Sequence, residues 1–201
     1  MGGRKQALSQ LDEFVEENFG QYGNTRDIPS LSSTSGLAPH LKFGTISPRE
    51  IYHAVPSKES TFINELYWRD FFTQIGWYFP HVFEGEKNFR TMYDKIQWGN
   101  DKNKFKAWCE GRTGYPIVDA GMRELVNTGF MHNRVRMITA SFLVKDLHVD
   151  WKWGEAYFAK KLLDFDLAQN VGNWQWSAGT GIDPQPYFRV FNPYLQSKKF
   201  D

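Results

Sequence analysis

The sequence predicts an all-α domain. Apolar residues recur at helical spacing in one segment after another, Pro and Gly stand where those segments start and stop, and no stretch shows convincing period-2 alternation. Residues 6–19 set Ala7, Leu8, Leu11, Phe14, Val15 and Phe19 on one stripe, with Glu13, Glu16 and Glu17 outside it. A polar loop follows from Gly20 to about Phe43 and carries Thr34-Ser35-Gly36. Ser47-Pro48-Arg49-Glu50 reads as a capping box with Pro at the first helical position, and it opens a short helix to Val55. A longer helix over 59–79 is stopped by Pro80, which has no N–H to continue it. Aromatic-rich loops run to about Asn100, and a short helix covers residues 102–110. Pro116 starts a helix that ends at Gly129, and helices over 133–147 and 151–163 complete the set. The tail from Asp183 is Pro-rich and reads as irregular. One domain over 1–201, with no internal repeat, is the expected organisation.

Composition narrows the function classes. A net charge of +1 does not announce a nucleic-acid binder, so an anionic partner must be met by a local patch. The single Cys109 excludes an internal disulfide and a cysteine-only metal site, and the five His show no metal-ligand spacing. No run approaches the ~18 apolar residues of a membrane span, and the N-terminus carries Gly, Lys and Arg without an apolar signal region. A soluble, non-secreted, monomeric protein, cytoplasmic or nuclear, is expected. Eight Trp and seventeen Phe suit a pocket for a flat ligand as well as an aromatic core.

The most concentrated chemistry lies in Asp164-Phe-Asp-Leu-Ala-Gln-Asn-Val-Gly-Asn-Trp-Gln-Trp176. Read alone, it is a helix end with capping Asp and core Trp residues. Carboxylates two apart beside indoles nonetheless ask for a cation or donors to answer them. Other segments join it in order: Thr34-Ser35-Gly36-Leu37, Asn64-Glu65-Leu66-Tyr67-Trp68-Arg69-Asp70-Phe71, Gly114-Tyr115-Pro116-Ile117-Val118-Asp119-Ala120, Met131-His132-Asn133-Arg134-Val135-Arg136-Met137 and Tyr187-Phe188-Arg189-Val190-Phe191-Asn192-Pro193. Together they resemble the helical flavin-binding domain of the photolyase/cryptochrome family, closest to its class I pyrimidine-dimer photolyases. The likeness runs from about residue 6 to 201. Full-length members also carry an N-terminal α/β antenna domain and further C-terminal helices. The chain is therefore expected to be an excerpt of a larger protein, or a deliberately minimal one.

The resemblance implies flavin adenine dinucleotide (FAD) as cofactor. It assigns Thr34, Ser35 and Leu37, with Tyr22 and Arg69, to the phosphate region, where Gly36 allows close approach of the backbone. At Ala38, where relatives often carry Ser, a hydroxyl contact is replaced or lost. Phe62 stands for an apolar wall often made by Trp. Asp164 and Asp166 are assigned to the ribityl and isoalloxazine edges, Arg136 to an ion pair with Asp164, and Asn133 to the cofactor's surroundings. Asn170 falls beside flavin N5, where signalling cryptochromes tend to carry Asp or Cys, so it favours repair over signalling. For a flipped-out dimer in UV-damaged DNA, the resemblance assigns Trp68 and Trp176 as indole walls, Glu65 and Asn133 as polar contacts and Met137 as an apolar one. Arg134, Arg189, Lys198 and Lys199 are the candidates for DNA phosphates. An electron relay is expected through Trp174, Trp151 and Trp98, with Trp77, Trp108 and Trp153 left to packing. The expected activity is light-driven splitting of pyrimidine dimers. A cryptochrome-type photoreceptor and a flavin-free DNA-binding fragment are the alternatives.

Overall fold

The computed structural model describes residues 2–58, 60–83 and 87–200. Glu59, the expected start of the long helix, a three-residue stretch of the aromatic-rich loops and the two ends of the expected domain, Met1 and Asp201, lie outside the described residues. The described residues form helices and turns with no strand. The chain divides into two compact units, Met1–Phe71 and Phe72–Asp201, where a single domain is expected from the sequence.

In the first unit, α1 (Arg4–Glu13) runs into a π turn over Phe14–Asn18, a 3-10 turn over Phe19–Gln21 and the short α2 (Tyr22–Thr25). The apolar stripe behaves as its spacing predicts at Ala7, Leu11 and Phe14, which are buried, whereas Leu8 is 36% exposed. The π turn adds a residue to the helical repeat and redirects the chain where the aromatic cluster begins. Phe14 lies 4.6 Å from Phe62 and 5.7 Å from Tyr22, ring centre to ring centre, and Tyr22 meets Phe62 at 5.3 Å. The expected loop contains α3 (Ala38–Lys42). The capping box then opens α4 (Pro48–Ala54): Glu50 N–H donates to Ser47 Oγ at 3.2 Å and Ser47 N–H to Glu50 Oε2 at 2.9 Å. The division between the units falls inside α5 (Thr61–Tyr78), after Phe71.

In the second unit, α6 (Lys102–Cys109), α7 (Pro116–Thr128), α8 (Asn133–Ser141) and α9 (Trp151–Lys161) stand close to their expected places. Two helices go beyond the sequence reading. The Asp164–Trp176 segment is largely a helix, α10 (Leu167–Ala178), and the tail read as irregular ends in α11 (Pro193–Phe200). Its start is a local signal hidden among prolines: Pro193 takes the first helical position and Asn192 Oδ1 accepts Leu195 N–H at 3.1 Å. α10 packs on α9 and α8, and α7 on α6, α8 and α11, around a core that includes Trp108, Met122, Leu125, Ile138, Leu143 and Trp174. Gly154 makes the α9–α10 contact possible, because a Cβ there would stand 2.2 Å from Trp174 Cη2.

Candidate flavin and nucleic-acid site

Within the first unit, the Thr34–Leu37 loop is held from α1. Gln10 Nε2 donates to the Ser35 carbonyl at 2.9 Å, and Leu37 N–H reaches Ser35 Oγ at 3.4 Å. Gly36 has φ of 61°, and a Cβ on it would meet Gln10 Nε2 at 2.2 Å, so the turn and its clamp both require glycine. Leu37 and Phe62 bury their side chains in the core, and Ala38 is exposed at the first turn of α3. Beside the loop, Ser33 is 6% exposed with its Oγ unpartnered, a hydroxyl that motif reading passes over. Arg26, another residue the motifs did not flag, forms an ion pair with Glu65 and lies 5.6 Å over the Tyr22 ring. Burial, reinforced by Glu65 and opposed by Arg26, pushes the Tyr22 phenol up to about 12. Glu65 thus pairs with Arg26 rather than in a helix-surface pair with Arg69, which is partly buried one turn further on. Trp68 is 45% exposed and meets Phe71 edge-on at 5.5 Å.

Within the second unit, the expected Arg136–Asp164 pair is present: Nη2 donates to Oδ2 at 2.8 Å, and Nε holds the Met131 carbonyl at 2.7 Å. The Asp164 side chain is 3% exposed and its Oδ1 is buried without a partner. Asp166 caps α10, accepting from Ala168 N–H at 3.2 Å and Gln169 N–H at 3.4 Å. Asn170 is buried, and its amide nitrogen donates to Glu155 Oε1 at 2.8 Å and to the Glu155 carbonyl at 3.1 Å. Since Glu155 offers only acceptors there, the orientation of the amide is fixed, and Oδ1 is the atom that Glu155 does not engage. Glu155 carries no motif signal, because one Glu on an amphipathic helix reads as solvent-facing.

The two indoles of α10 part company. Trp174 is 2% exposed, 5.0 Å from Phe158 and 6.1 Å from Trp108, while Trp176 is partly buried and faces Phe191 at 6.4 Å. Trp151 is also 2% exposed and Trp98 is partly exposed. The segment after Trp98 is tied to the turn that opens α9: Gly99 N–H donates to the His148 carbonyl at 3.0 Å and Asp150 N–H to Asn100 Oδ1 at 2.8 Å. Asn133 and Met137 share one face of α8, with Asn133 Nδ2 3.8 Å from the Met137 sulfur. Arg134 and Lys199 both lie over the Phe200 ring, at 4.5 Å and 5.0 Å, which gathers positive charge next to Asn133. Arg189 sits 5.3 Å over Phe191, and Lys198 is exposed on α11. Among the described residues, no group of three or more His, Cys, Asp or Glu could hold a metal ion, and no helix is long and apolar enough to cross a membrane.

The described residues form a helical fold in which Arg136 and the buried Asp164 pair near a Trp-bearing helix, and comparison with known proteins gives the class, a flavin-binding protein of the photolyase type. Residues 62–201 match the FAD binding domain of DNA photolyase, and the chain belongs to that family. It is 47% identical to the deoxyribodipyrimidine photo-lyase of Escherichia coli over 98% of its own length and 43% of that enzyme's. Among solved structures it is similar to a bacterial class III photolyase from Agrobacterium tumefaciens (TM-score 0.93, 47% identity, 99% of this chain and 42% of that one). It is also similar to an archaeal photolyase from Sulfolobus tokodaii with two FAD molecules (TM-score 0.90, 53% identity, 100% of this chain and 44% of that one). A Synechocystis cryptochrome matches as well (TM-score 0.89, 38% identity, 100% and 44%). The chain spans about two fifths of the length of the curated relatives it matches. FAD suits the residues present: the Asp164 Oδ1 and Asn170 Oδ1 acceptors match N–H donors on a reduced isoalloxazine, and the clamped Thr34–Leu37 loop offers hydroxyls to phosphate.

Proposed function

We propose that this chain is the catalytic part of a light-driven DNA-repair enzyme that uses FAD to split pyrimidine dimers. The observation that carries the reading is Asn170, a buried neutral amide whose two hydrogens are spoken for by Glu155. It presents a carbonyl oxygen, which accepts from a protonated flavin N5 and carries no charge of its own. Bound FAD supplies a photoexcited electron donor. Asp164, oriented by Arg136, and Asp166 hold its polar edges, while the Thr34–Leu37 loop, Tyr22 and Arg69 hold its phosphates. Arg134, Arg189, Lys198 and Lys199 meet DNA phosphates, which fix position without reading sequence. Trp68, Trp176 and Met137 take the stacking that an extruded dimer loses, and Glu65 and Asn133 give it hydrogen bonds. Arg26 fixes the Glu65 carboxylate, so this acceptor is positioned before substrate arrives. Trp174, Trp151 and Trp98 return electrons to the flavin from outside. The enzyme works as a monomer wherever the cell keeps its DNA, in the cytoplasm or, in a eukaryote, the nucleus.

The test is repair of a dimer-containing oligonucleotide by the purified, FAD-loaded protein under blue light. Restored thymines are expected under light and none in the dark. A protein that photoreduces its flavin but restores none is a photoreceptor, and one that carries no flavin band does no photochemistry. Glu65→Ala is expected to cut the repair yield while leaving flavin absorption intact. An unchanged yield removes Glu65 from the substrate contacts.

A further inference from the structure

Trp151 is buried, and its indole N–H finds its acceptor in a side chain. Nε1 donates to Asn88 Oδ1 at 3.0 Å, and Asn88 is itself 3% exposed. The Asn88 amide nitrogen then donates to Asp94 Oδ1 at 2.6 Å, and the Asn88 backbone N–H reaches the same oxygen at 2.9 Å. The amide cannot be turned round, because the indole only donates and the carboxylate only accepts. A buried Trp needs no such chain merely to satisfy its N–H, since Trp108 uses the backbone carbonyl of Thr139 at 3.1 Å. Asp94 lies on the 3-10 turn Thr91–Lys95 at the solvent surface, so its charge is held there without the cost of burying it.

We propose that Asn88 and Asp94 are positioning residues that keep Trp151 protonated when it is oxidised, so that the hole moves on to Trp98. This deepens the relay of the proposed function and rests on it. With photoexcited flavin as the one-electron oxidant, Trp174 loses an electron and regains one from Trp151. Trp151 becomes an indole cation radical that keeps its N–H, because an amide oxygen binds that proton but is far too weak a base to take it. Asp94, one amide further out, stabilises the cation without reaching its proton. An electron from Trp98 then restores Trp151, and an external thiol restores Trp98. One electron moves at each step, and no bond to hydrogen breaks at Trp151.

The discriminating variant is the exchange N88D/D94N, which keeps an acceptor for the indole and a donor behind it but puts the base against the N–H. Flash spectroscopy of the FAD-loaded protein with thiol present is expected to show only a cation radical at Trp151 in the unaltered chain. The exchange is expected to give a neutral indolyl radical with a solvent deuterium effect and a flavin photoreduction yield lower by about tenfold, as a trap one decade deeper requires. Independently of flavin, the Trp151 indole N–H in nuclear magnetic resonance, assigned with W151F, is expected to exchange slowly in the unaltered chain and quickly in N88A. A purely structural Asn88 is overturned as the explanation by these results. The proposal itself is overturned if the exchange variant matches the unaltered radical spectrum and yield, or if N88A leaves the indole N–H unmoved. W151F separates the two layers: if it photoreduces normally the relay fails, and if it is inactive while the exchange variant is normal only the Asn88–Asp94 role fails.

Discussion

At the scale of the residue, Asp164 is the group with most at stake. A carboxylate with a side chain only 3% exposed survives because Arg136 answers one oxygen, while the other has no hydrogen-bond partner. Arg136→Met is expected to destabilise the chain by about 3–5 kcal/mol, since it strands a buried charge instead of removing a pair. Urea denaturation measures this, and a loss under 1 kcal/mol, on the order of an exposed pair, means that the pair is solvated. Glu155→Leu removes the Oε1 acceptor of one Asn170 amide hydrogen and keeps the backbone carbonyl that holds the other, with an expected cost of about 1–3 kcal/mol and weaker FAD retention. A variant as stable as the parent, with FAD retained equally well, counts against the orienting role of Glu155.

At the scale of the element, α9 and α10 show how packing overrides propensity. Gly154 lowers the intrinsic stability of α9, yet a Cβ there meets Trp174 at 2.2 Å and Leu143 at 2.6 Å. Gly154→Ala therefore loses stability by about 1–3 kcal/mol despite the better helix former, and shifts Trp emission as Trp174 moves. A stabilised variant contradicts the contact. The Ser47 cap works on a smaller scale: Ser47→Ala is expected to cost about 1 kcal/mol by thermal denaturation, because Glu50 N–H loses its acceptor. The capping box and the Pro116 and Gly129 boundaries were legible because caps are local hydrogen-bond problems. Helix α11 was not, because prolines from Asp183 onward mask the single turn at Asn192–Pro193 from which a helix starts.

At the scale of the whole molecule, charge is spread thinly and used locally. Arg4 first, then Ser47, holds the Glu50 carboxyl down to about 2. Its folded value lies below the ordinary 4.5, so its contribution is present above pH 4.5 and is lost as pH falls toward 2. Solvent screens the exposed pair, so this contribution is small, and Glu50→Gln, which removes it, is expected to change a pH-denaturation series only slightly. DNA binding is expected to rest on Arg134, Arg189, Lys198 and Lys199. Exchanging one of these for Ala should weaken binding at every sequence and lower the slope of log K against log salt by about 1. An unchanged slope removes that residue from the phosphate contacts.

The sequence by itself determined the helical class and most helix boundaries, which follow from periodicity and caps, properties of neighbours along the chain. Its motifs in order pointed to the family, and the Arg136–Asp164 pair was implied by that resemblance alone. For Asp164–Trp176 the sequence read alone offered capping Asp and core Trp residues. Only the tertiary structure decided which group does what: Asp166 caps a helix, Trp174 fills a core over Gly154, and Trp176 turns to Phe191. It alone brought Glu155 to Asn170, Arg26 to Glu65 and Asn88 to Trp151. Those partners lie 15, 39 and 63 residues apart, and no local pattern marks a lone Glu, Arg or Asn for a contact that only packing creates.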